Sequence, residues 1–444
     1  MNVLPLDKGL FGPVFVTDEV RAAHGTDAWL EDILRVESAL AMAQASLGII
    51  PQVAADAIDQ LTPGQFDQAA LEDRTAAVGF PIAGIVEQIA ELVPDGLGEY
   101  AHWGATTQDI LDTAQVLQIS RAIDQLESEL LSIGAVLAQK ADAGRDTLML
   151  ARSQGQAALP TTFGLRVSGW LSSLTRHIER LRQAKSRVLV VQLSGAVGTA
   201  AAYGPHATEL MTQVARLLDL EVAHVNWHTQ RDRFAEIASI ATGIAASIGK
   251  IGLDVSMSAQ PGIGETRELP GASGGGVSST MPQKQNPILS QQLVQNARIA
   301  KSLLPLAFEA VVSDHDRGMG IWPVEWFAMP QLMTLTLSSV AKLSELFEVL
   351  AIDEERMAAN LASYDKVMAE AVMMALAPEL GRQSAHDAVA AAIRAMPDAP
   401  LGEALAAAGI EVAPETLDPH TYLGSSNEQI GAAIAEFSAI SSTG

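Results

Sequence analysis

Apolar residues recur at helical spacing over four long stretches of the chain. They lie in residues 115–142, 163–181 and 237–251 and in a run that starts at residue 288 and extends to 306. Steps of three and four residues place these side chains on one face of an α-helix. Helices of this length and apolarity need neighbours along their sides, so the pattern predicts a helical bundle whose remaining apolar surface drives oligomerisation.

Shorter helical patterns flank the long ones. The pattern in residues 33–47 ends at Gly48, just before Pro51, which is a helix stop signal. Short helices and turns continue to about residue 114, and short Ala-rich helices return from about residue 353. The sequence thus predicts an all-α protein with three domains, at residues 1–114, 115–352 and 353–444.

The composition supports packed helices and an acidic surface. Hydrophobic residues make up 48% of the chain but aromatic residues only 5%. The core is therefore built from Ala, Leu, Ile, Val and Met. The net charge of −24 argues against nucleic acid or an anionic membrane as partner, because both require a basic face. An anionic substrate must therefore be bound by a local cluster of Arg, Lys and His.

The chain contains no cysteine, which excludes disulfides, thiolate metal sites and cysteine nucleophiles and fits a reducing compartment. The first fifteen residues show no basic segment followed by an apolar one, so no signal peptide is expected. We therefore expect a cytoplasmic protein. The most apolar run, residues 234–257, is interrupted by Glu236, Lys250 and Asp254, which predicts a buried bundle helix rather than a membrane span.

Residues 273–290, SGGGVSSTMPQKQNPILS, are the stretch that packing explains least. The glycines at 274–276 predict a mobile loop. Ser278 follows them, and a serine accepts a proton only as its alkoxide, which a cation and oriented amides must stabilise. Lys284 and Asn286 supply both. A plain Gly/Ser/Pro linker is the alternative, but a linker has no use for Met281 or for a lysine between two prolines.

Residues 278–287 resemble the signature loop of the fumarase/aspartase superfamily, GSSxMPxKxNP, with Val277 in place of the glycine. In that family the first serine removes the proton beside a carboxylate, and the lysine and asparagine bind that carboxylate as charge builds on it. The resemblance implies that Ser278, Lys284 and Asn286 are catalytic. It also places Ser279 and Met281 among the substrate-binding residues.

Residues 102–109, HWGATTQD, precede a long helical pattern and are similar to a second region of the superfamily, HxGxTSxD. A helix N-terminus that carries hydroxyl groups is a ready carboxylate site. For Thr107 or Asp109 alone, helix capping is the better interpretation. The resemblance instead implies substrate binding by His102, Thr106, Thr107 and Gln108.

Residues 151–164, ARSQGQAALPTTFG, resemble a third region, ARTHGQxAxPTTFG, and imply substrate binding by Arg152, Ser153 and Gln154. Gln154 stands where many members have the histidine that protonates the leaving group. Glutamine cannot donate a proton at neutral pH, so that task is vacant or unnecessary. Alternatively, Gln154 only fills space and hydrogen-bonds the substrate. Glu265 occupies a position that often carries a buried acidic residue in the family.

Residues 313–326, SDHDRGMGIWPVEW, resemble the HERGxGxWxxEW segment of one branch, the 3-carboxy-cis,cis-muconate cycloisomerases. This implies substrate contacts for His315 and Arg317, although a helix hairpin with satisfied polar groups would give the same pattern. In residues 228–234, HTQRDRF, Gln230 is the expected ligand contact. The adjacent pair Arg231 and Asp232 is expected to be structural.

The resemblance to this superfamily implies a homotetramer with a twenty-helix core, whose active sites combine the regions around Thr106, Gln154 and Ser278 from three subunits. It implies a small di- or tricarboxylate substrate, no cofactor and no metal. Cycloisomerisation of 3-carboxy-cis,cis-muconate, in the β-ketoadipate route of aromatic catabolism, fits Gln154. In the reverse, eliminating direction of this reaction, the leaving group is a carboxylate of the same molecule and needs no proton donor.

Two alternatives remain open at this point. One is a fumarate-releasing C–N lyase of the argininosuccinate, adenylosuccinate or aminodicarboxylate type, which Gln283 and Gln285 favour because the cycloisomerase branch tends to carry His and Arg there. The other is a non-catalytic structural protein, since lens crystallins belong to the superfamily. Retention of Ser278, Lys284 and Asn286 together argues against the latter.

Overall fold

The computed structural model describes residues 9–270 and 276–442. The described chain is mainly helical, which confirms the all-α prediction. Its α-helices are α1 Gly12–Phe15, α2 Asp18–His24, α3 Thr26–Ser46, α4 Gln52–Asp59, α5 Gln68–Val78, α6 Ile82–Leu92, α7 Thr107–Ala143, α8 Phe163–Val188, α9 Ala207–Leu218, α10 Asp232–Ser258, α11 Ile288–Glu309, α12 Trp322–Val349, α13 Glu354–Ala362, α14 Ala369–Leu380, α15 Arg382–Ala395, α16 Leu401–Ala407 and α17 Ser426–Ser441.

Six short strands form three two-stranded sheets in the described chain. They are β1 Leu148–Ser153, β2 Gln156–Thr162, β3 Val190–Val191, β4 Glu221–Val222, β5 Thr266–Glu268 and β6 Leu350–Ile352. The pairs β1–β2 and β5–β6 are antiparallel, and β3–β4 is parallel. These strands are too few and too short to form a layer of their own, and they hold loops against helices.

The chain folds as two compact units. Unit 1 comprises residues 1–129, 177–249 and 292–342, and unit 2 comprises residues 130–176, 250–291 and 343–444. The boundaries fall inside the long helices α7, α8, α10, α11 and α12. The division into domains at 1–114, 115–352 and 353–444 stays a prediction.

The long amphipathic patterns all correspond to helices. Residues 115–142 lie within α7, the stripe that starts at Phe163 is α8, the isoleucine stripe is α10, and α11 begins at Ile288. By length and composition α10 could cross a membrane, but 61% of its most apolar window is buried inside the protein. It is therefore a core helix, as the charges at Glu236, Lys250 and Asp254 predicted.

The end of α3 shows how local sequence sets an element boundary. Gly48 has φ +71°, its N–H donates to Ala45 O at 2.9 Å, and the N–H of Ile49 donates to Gln44 O at 2.9 Å. This pair of bonds is the Schellman motif, which glycine favours because it has no Cβ to clash in the left-handed conformation. The predicted helix stop is confirmed at this residue.

Each unit buries an apolar cluster of its own. In unit 1, Leu40, Ile58, Ile89, Ile110 and Leu210 belong to one cluster, which joins the N-terminal helices to the start of α7 and to α9. In unit 2, a second cluster collects Leu150, Leu361, Val372, Val389 and Leu405. Burial of such side chains stabilises each by about 1.5–3 kcal/mol relative to exposure, which fixes the short helices despite their modest length.

Candidate active site

The start of α7 is organised by the buried carboxylate of Asp109. One of its oxygens accepts hydrogen bonds from the N–H of Ser194 at 2.9 Å and from Nε2 of His228 at 2.8 Å. The other accepts from the N–H of Gly195 at 2.8 Å and from the N–H of Thr106 at 3.1 Å. The last bond is the return half of a capping box, so Asp109 caps its own helix, as predicted. It also fixes residues 194–195 against the helix start.

Arg317 reaches the same helix start. Its Nη1 donates to Oγ1 of Thr106 at 2.9 Å, and its Nη2 donates to the carbonyl of Ala196 at 3.0 Å. Its Nε is buried and has no partner in the described chain. Arg317 and Asp109 both bond Thr106, and the charge of Asp109 acts on His102. We call these four residues the helix-start cluster. His315, two residues before Arg317, is exposed.

Three further predicted residues are buried to different extents. Gln108 is only 1% exposed and donates from Nε2 to the carbonyl of His228 at 2.8 Å, while its Oε1 has no partner in the part of the chain described. Thr107 is half-buried and Gln230 is exposed. Gln108 therefore braces the turn at His228, and its substrate contact, like those of Thr107 and Gln230, stays a prediction.

A fully buried ion network lies one turn further along α7. Arg231 donates to both oxygens of Asp112, at 2.6 and 2.9 Å, and to Glu325, where the Nε distance is 3.0 Å. Asp112 also accepts from Nε1 of Trp322 at 3.0 Å. Burial lowers the pKa of Arg231, and the two carboxylates more than offset this and raise it. Arg231 is structural, as expected, but its partners are these two residues rather than Asp232.

The signature loop is closed at its base by backbone bonds. Val277 forms an isolated antiparallel bridge with Gln285, and the carbonyl of Gly276 accepts from the Asn286 N–H at 2.8 Å and from Asn286 Nδ2 at 3.3 Å. Gly276 has φ +85°, and a Cβ there would lie 2.6 Å from the Asn286 carbonyl oxygen. Only glycine fits this position. Of glycines 274–276, for which we expect mobility, 274 and 275 lie outside the described residues, and the expectation stays a prediction.

The helix that follows the loop is capped by Glu268. Its carboxylate accepts from the N–H groups of Leu289 at 3.0 Å and Ser290 at 2.9 Å. These bonds satisfy donors at the positive end of α11. The carbonyl of Glu268 accepts from Nε2 of Gln285 at 2.9 Å. Gln285 therefore has a structural contact of its own at the base of the loop.

Ser278 and Lys284 differ in their polar contacts, and their catalytic roles stay predictions. Ser278 Oγ accepts from the N–H of Met281 at 3.0 Å and from the N–H of Thr280 at 3.4 Å. Such donors stabilise an oxygen that gains negative charge. Lys284 is exposed and, in residues 9–270 and 276–442, has no carboxylate partner. In a chain of net charge −24, an ammonium group without a carboxylate partner in the described residues is available to an anionic ligand. Ser279 and Met281 are also exposed.

Gln154 lies at the tip of the β1–β2 hairpin. Gln154 and Gly155 have φ of +54° and +76°. They form the two-residue turn with positive φ at both positions that antiparallel hairpins favour. Ser153 and Gln154 are exposed. Arg152, in contrast, donates to both oxygens of Glu265, at 3.0 and 2.7 Å, and Glu265 is fully buried. Arg152 is thus held by an ion pair, and its substrate contact stays a prediction.

Three of the predicted substrate-binding residues also have an unusual backbone conformation. Only six non-glycine residues of the described chain have positive φ, namely Asp95, His102, Gln154, Ala200, Asp219 and His315. An L-residue in this region costs about 1–2 kcal/mol, and such strain concentrates at functional sites. His102, Gln154 and His315 make up half of the six, although the sequence motifs carry no information on φ.

Sequence reasoning missed Glu37, which binds His102. Its Oε1 lies 2.7 Å from Nδ1 of His102 and its Oε2 accepts the His102 N–H at 2.9 Å. The sequence did offer a signal for Glu37. It lies between Ile33 and Leu40 at helical spacing, and a carboxylate within such an apolar stripe faces the core. Asp112, on the buried face of α7, and His228, buried in the loop before α10, were missed as well. No group of three or more potential metal ligands occurs in the described residues.

Comparison with known proteins places the chain in a family. A family model described as Lyase matches residues 16–299. The 3-carboxy-cis,cis-muconate cycloisomerase of Pseudomonas aeruginosa is 37% identical over 99% of this chain and 98% of that protein. The trans-aconitate decarboxylase 1 of Mycosarcoma maydis is 36% identical over 86% of this chain and 78% of that protein.

A solved structure agrees with the sequence relatives. The crystal structure of the 3-carboxy-cis,cis-muconate lactonizing enzyme from Pseudomonas putida superposes with a TM-score of 0.90, at 33% identity, over 97% of this chain and 99% of that one. Sequence and fold therefore agree over nearly the whole length. The chain belongs to the fumarase/aspartase superfamily of lyases, with 3-carboxy-cis,cis-muconate cycloisomerases among its most similar members.

Proposed function

We propose that the protein is an enzyme that interconverts 3-carboxy-cis,cis-muconate and a carboxymuconolactone. The observation that carries the proposal is the signature loop, in which Ser278 Oγ receives two backbone N–H groups and Lys284 stays exposed and unpaired in the described chain. Full-length similarity to cycloisomerases supports the choice of substrate.

The proposed reaction is an addition of a carboxylate across a C=C bond of the same molecule. A carboxylate oxygen of the substrate forms a C–O bond with one alkene carbon, and the π electrons move toward the carbon beside a second carboxylate. Lys284 and Asn286 stabilise the aci-carboxylate that results, as fixed charges and dipoles do where transition-state charge develops. Ser278 then delivers the proton to that carbon. In the reverse direction the Ser278 alkoxide removes it.

Gln154 is consistent with this chemistry. In the eliminating direction the lactone C–O bond breaks and releases a carboxylate, which is a stable anion and needs no proton. A general acid at this position would therefore contribute nothing, whereas an amide can still hydrogen-bond the substrate. The exposed, positive-φ position of Gln154 at the hairpin tip suits a contact of this kind.

The first test is the loss of conjugated-diene absorbance when purified protein is added to 3-carboxy-cis,cis-muconate. We expect turnover that Ser278→Ala lowers by about 10²–10⁴-fold, the range for loss of a general acid–base group. Ser302→Ala is the matched control, because Ser302 is an exposed helical serine that bonds only its own helix, at Arg298 O. Absence of turnover by the wild-type protein would refute the substrate assignment.

The second candidate is a fumarate-releasing C–N lyase, favoured by the uncharged Gln283 and Gln285 in the loop. A panel of amines with fumarate tests it, because a lyase catalyses C–N bond formation in reverse. The decarboxylase among the relatives adds trans-aconitate to the same panel. A purely structural role would leave Ser278→Ala indistinguishable from wild type in every assay.

Three wider features belong to this proposal. We infer a homotetramer whose active sites combine the regions around Thr106, Gln154 and Ser278 from three subunits. Large exposed apolar side chains such as Leu253, Met257 and Phe308 support an assembly surface. Light scattering should then give four times the 46.7-kDa chain mass.

We also infer that the protein is a cytoplasmic enzyme of aromatic catabolism, in the β-ketoadipate pathway. Cell fractionation tests the location, and growth on aromatic acids tests the pathway.

A further inference from the structure

Glu37 and His102 form a dyad that the mechanism above does not use. Glu37 lies on α3 with no exposed surface, and both of its oxygens bind the same residue, His102, through the ring Nδ1 at 2.7 Å and the backbone N–H at 2.9 Å. Two bonds to one residue fix both its backbone and its ring. His102 also has φ +56°. This is a costly arrangement for a merely structural contact, because the left-handed backbone of a non-glycine residue is strained.

The other ring nitrogen of His102 is unoccupied. In residues 9–270 and 276–442 Nε2 has no hydrogen-bond partner, and the side chain is 18% exposed. Glu37 accepts and cannot donate, so Nδ1 carries a hydrogen. In the neutral ring Nε2 is then an acceptor, which repels a carboxylate. Only the protonated ring offers Nε2–H as a charged donor.

We propose that Glu37 is a positioning residue that holds His102 as an imidazolium, so that Nε2–H binds a substrate carboxylate beside Thr106 and Arg317. The inference rests on the proposed function for the class of ligand, a polycarboxylate. It predicts that deprotonation of His102 weakens substrate binding and leaves the proton-transfer step at Ser278 unaffected.

The groups that face His102 favour its charged form. They are Glu37 from α3 and Asp109 from α7. The ring of Tyr203 lies near Gly104, two residues further along the chain, where it would touch a Cβ. Burial lowers the pKa of His102, but the hydrogen bond and charge of Glu37, with the charge of Asp109, more than offset this and raise it above its usual value. Burial and the same carboxylates raise the pKa of Tyr203, which stays a neutral phenol.

The first experiment measures binding of tricarballylate, an unreactive tricarboxylate, by calorimetry between pH 5.5 and 9. For the wild type we expect affinity to fall by roughly tenfold or more as pH rises through the raised pKa of His102, since one charge-assisted bond is lost. Glu37→Gln should move this fall in affinity to lower pH. Relative to wild type, the variant should bind tricarballylate roughly tenfold more weakly at pH 7.5 and no more than about threefold more weakly at pH 5.5.

Two variants separate this effect from damage to the fold. His102→Gln should abolish the pH-dependent step. Glu129→Gln removes a half-buried carboxylate elsewhere in unit 1, whose partner in the described chain is Gln125, and should behave as wild type. A Glu37→Gln variant that weakens binding equally at every pH would overturn the inference, and so would a wild type whose binding does not change with pH or is absent.

The second experiment needs no ligand and no folded variant of Glu37. Side-chain ¹⁵N NMR of the wild-type protein reports the tautomer and titration of each histidine, and His102→Gln identifies the signal. We expect Nδ1–H in the neutral ring and a titration above the ordinary value of about 6.5. Titration at or below that value would overturn the inference. Failure of diene turnover would refute the proposed substrate but would not change either result.

Discussion

The buried carboxylates at the start of α7, Asp109 and Asp112, and the signature loop are both polar regions, but they differ in how their residues are held. Asp109 is fully buried and accepts four hydrogen bonds, and Asp112, one turn later, joins a buried ion network. Lys284 is exposed and has no ionic partner in the described chain. The first region is thus a rigid support and the second keeps its charges free for a ligand, so substitutions should affect stability in one and activity in the other.

The largest expected effect is on stability, from Asp112→Asn. The substitution keeps the size of the side chain but removes one of the two charges that neutralise the buried Arg231. Breaking a buried ion pair by neutralising one partner costs about 3–5 kcal/mol. We therefore expect the free energy of unfolding, measured in urea, to fall by about 3 kcal/mol or more.

Asp124→Asn is the matched control for Asp112→Asn. Asp124 pairs with Lys185 at 2.9 Å, but its side chain is 65% exposed. Exposed ion pairs contribute about 0–1 kcal/mol, so the change in unfolding free energy should stay below about 1 kcal/mol. Equal losses for the two variants would show that the buried network does not support the helix start in the way we infer.

Lys284→Met should lower activity and leave stability almost unchanged, in contrast to Asp112→Asn. Methionine keeps much of the apolar stem and removes the charge, and the lysine has no ion pair in the described chain to lose, so the free energy of unfolding should change by less than about 0.5 kcal/mol. If Lys284 stabilises the aci-carboxylate, kcat/KM for the diene substrate should fall by about 100-fold or more. Steady-state absorbance kinetics and urea unfolding measure the two quantities on the same preparation.

Lys301→Met controls for the loss of a positive charge from this acidic chain. Lys301 is exposed on α11 and has no ion pair in the described residues. General electrostatic attraction of the substrate would lower kcat/KM in both variants, and more so at low salt. A similar loss in the two variants would remove Lys284 from the catalytic group.

Elements with a strong local signal could be predicted from the sequence. The end of α3 follows from Gly48, the four long helices follow from their apolar period, and the burial of Glu265 follows from the family resemblance. The self-capping of α7 by Asp109 is likewise local, because donor and acceptor lie three residues apart. For the helices and their ends, the deciding contacts lie within one or two helical turns.

Partners that are distant along the chain could not be predicted. Glu37 binds a residue 65 positions away, and Arg231 binds residues 119 and 94 positions away. Apolar periodicity shows that a polar side chain faces the core, but it does not show which side chain lies opposite, because tertiary packing decides that. The pairing of Arg231 with Asp112 rather than with the adjacent Asp232 illustrates this limit.

The smallest expected effect on activity comes from Gln154→Gly, which should also change stability little. Glycine relieves the left-handed conformation, worth about 1 kcal/mol, but adds entropy to the unfolded chain at a cost of about 0.4–1 kcal/mol. The net change in unfolding free energy should therefore lie within about 1 kcal/mol of zero. If the amide contacts substrate, KM for the diene substrate should nonetheless rise, because the hydrogen bond is lost while the turn is kept.

Asp219→Gly is the matched control for Gln154→Gly, because Asp219 has nearly the same φ, +56°, at the exposed end of α9 and is no predicted site residue. It should show the same small change in stability with unchanged kinetics. Gln154→Asn adds a second comparison, since asparagine suits the turn and keeps the amide on a shorter side chain. If KM responds to neither Gln154 variant, the strained tip of the hairpin serves only the turn, and the lack of a proton donor there has no bearing on the reaction.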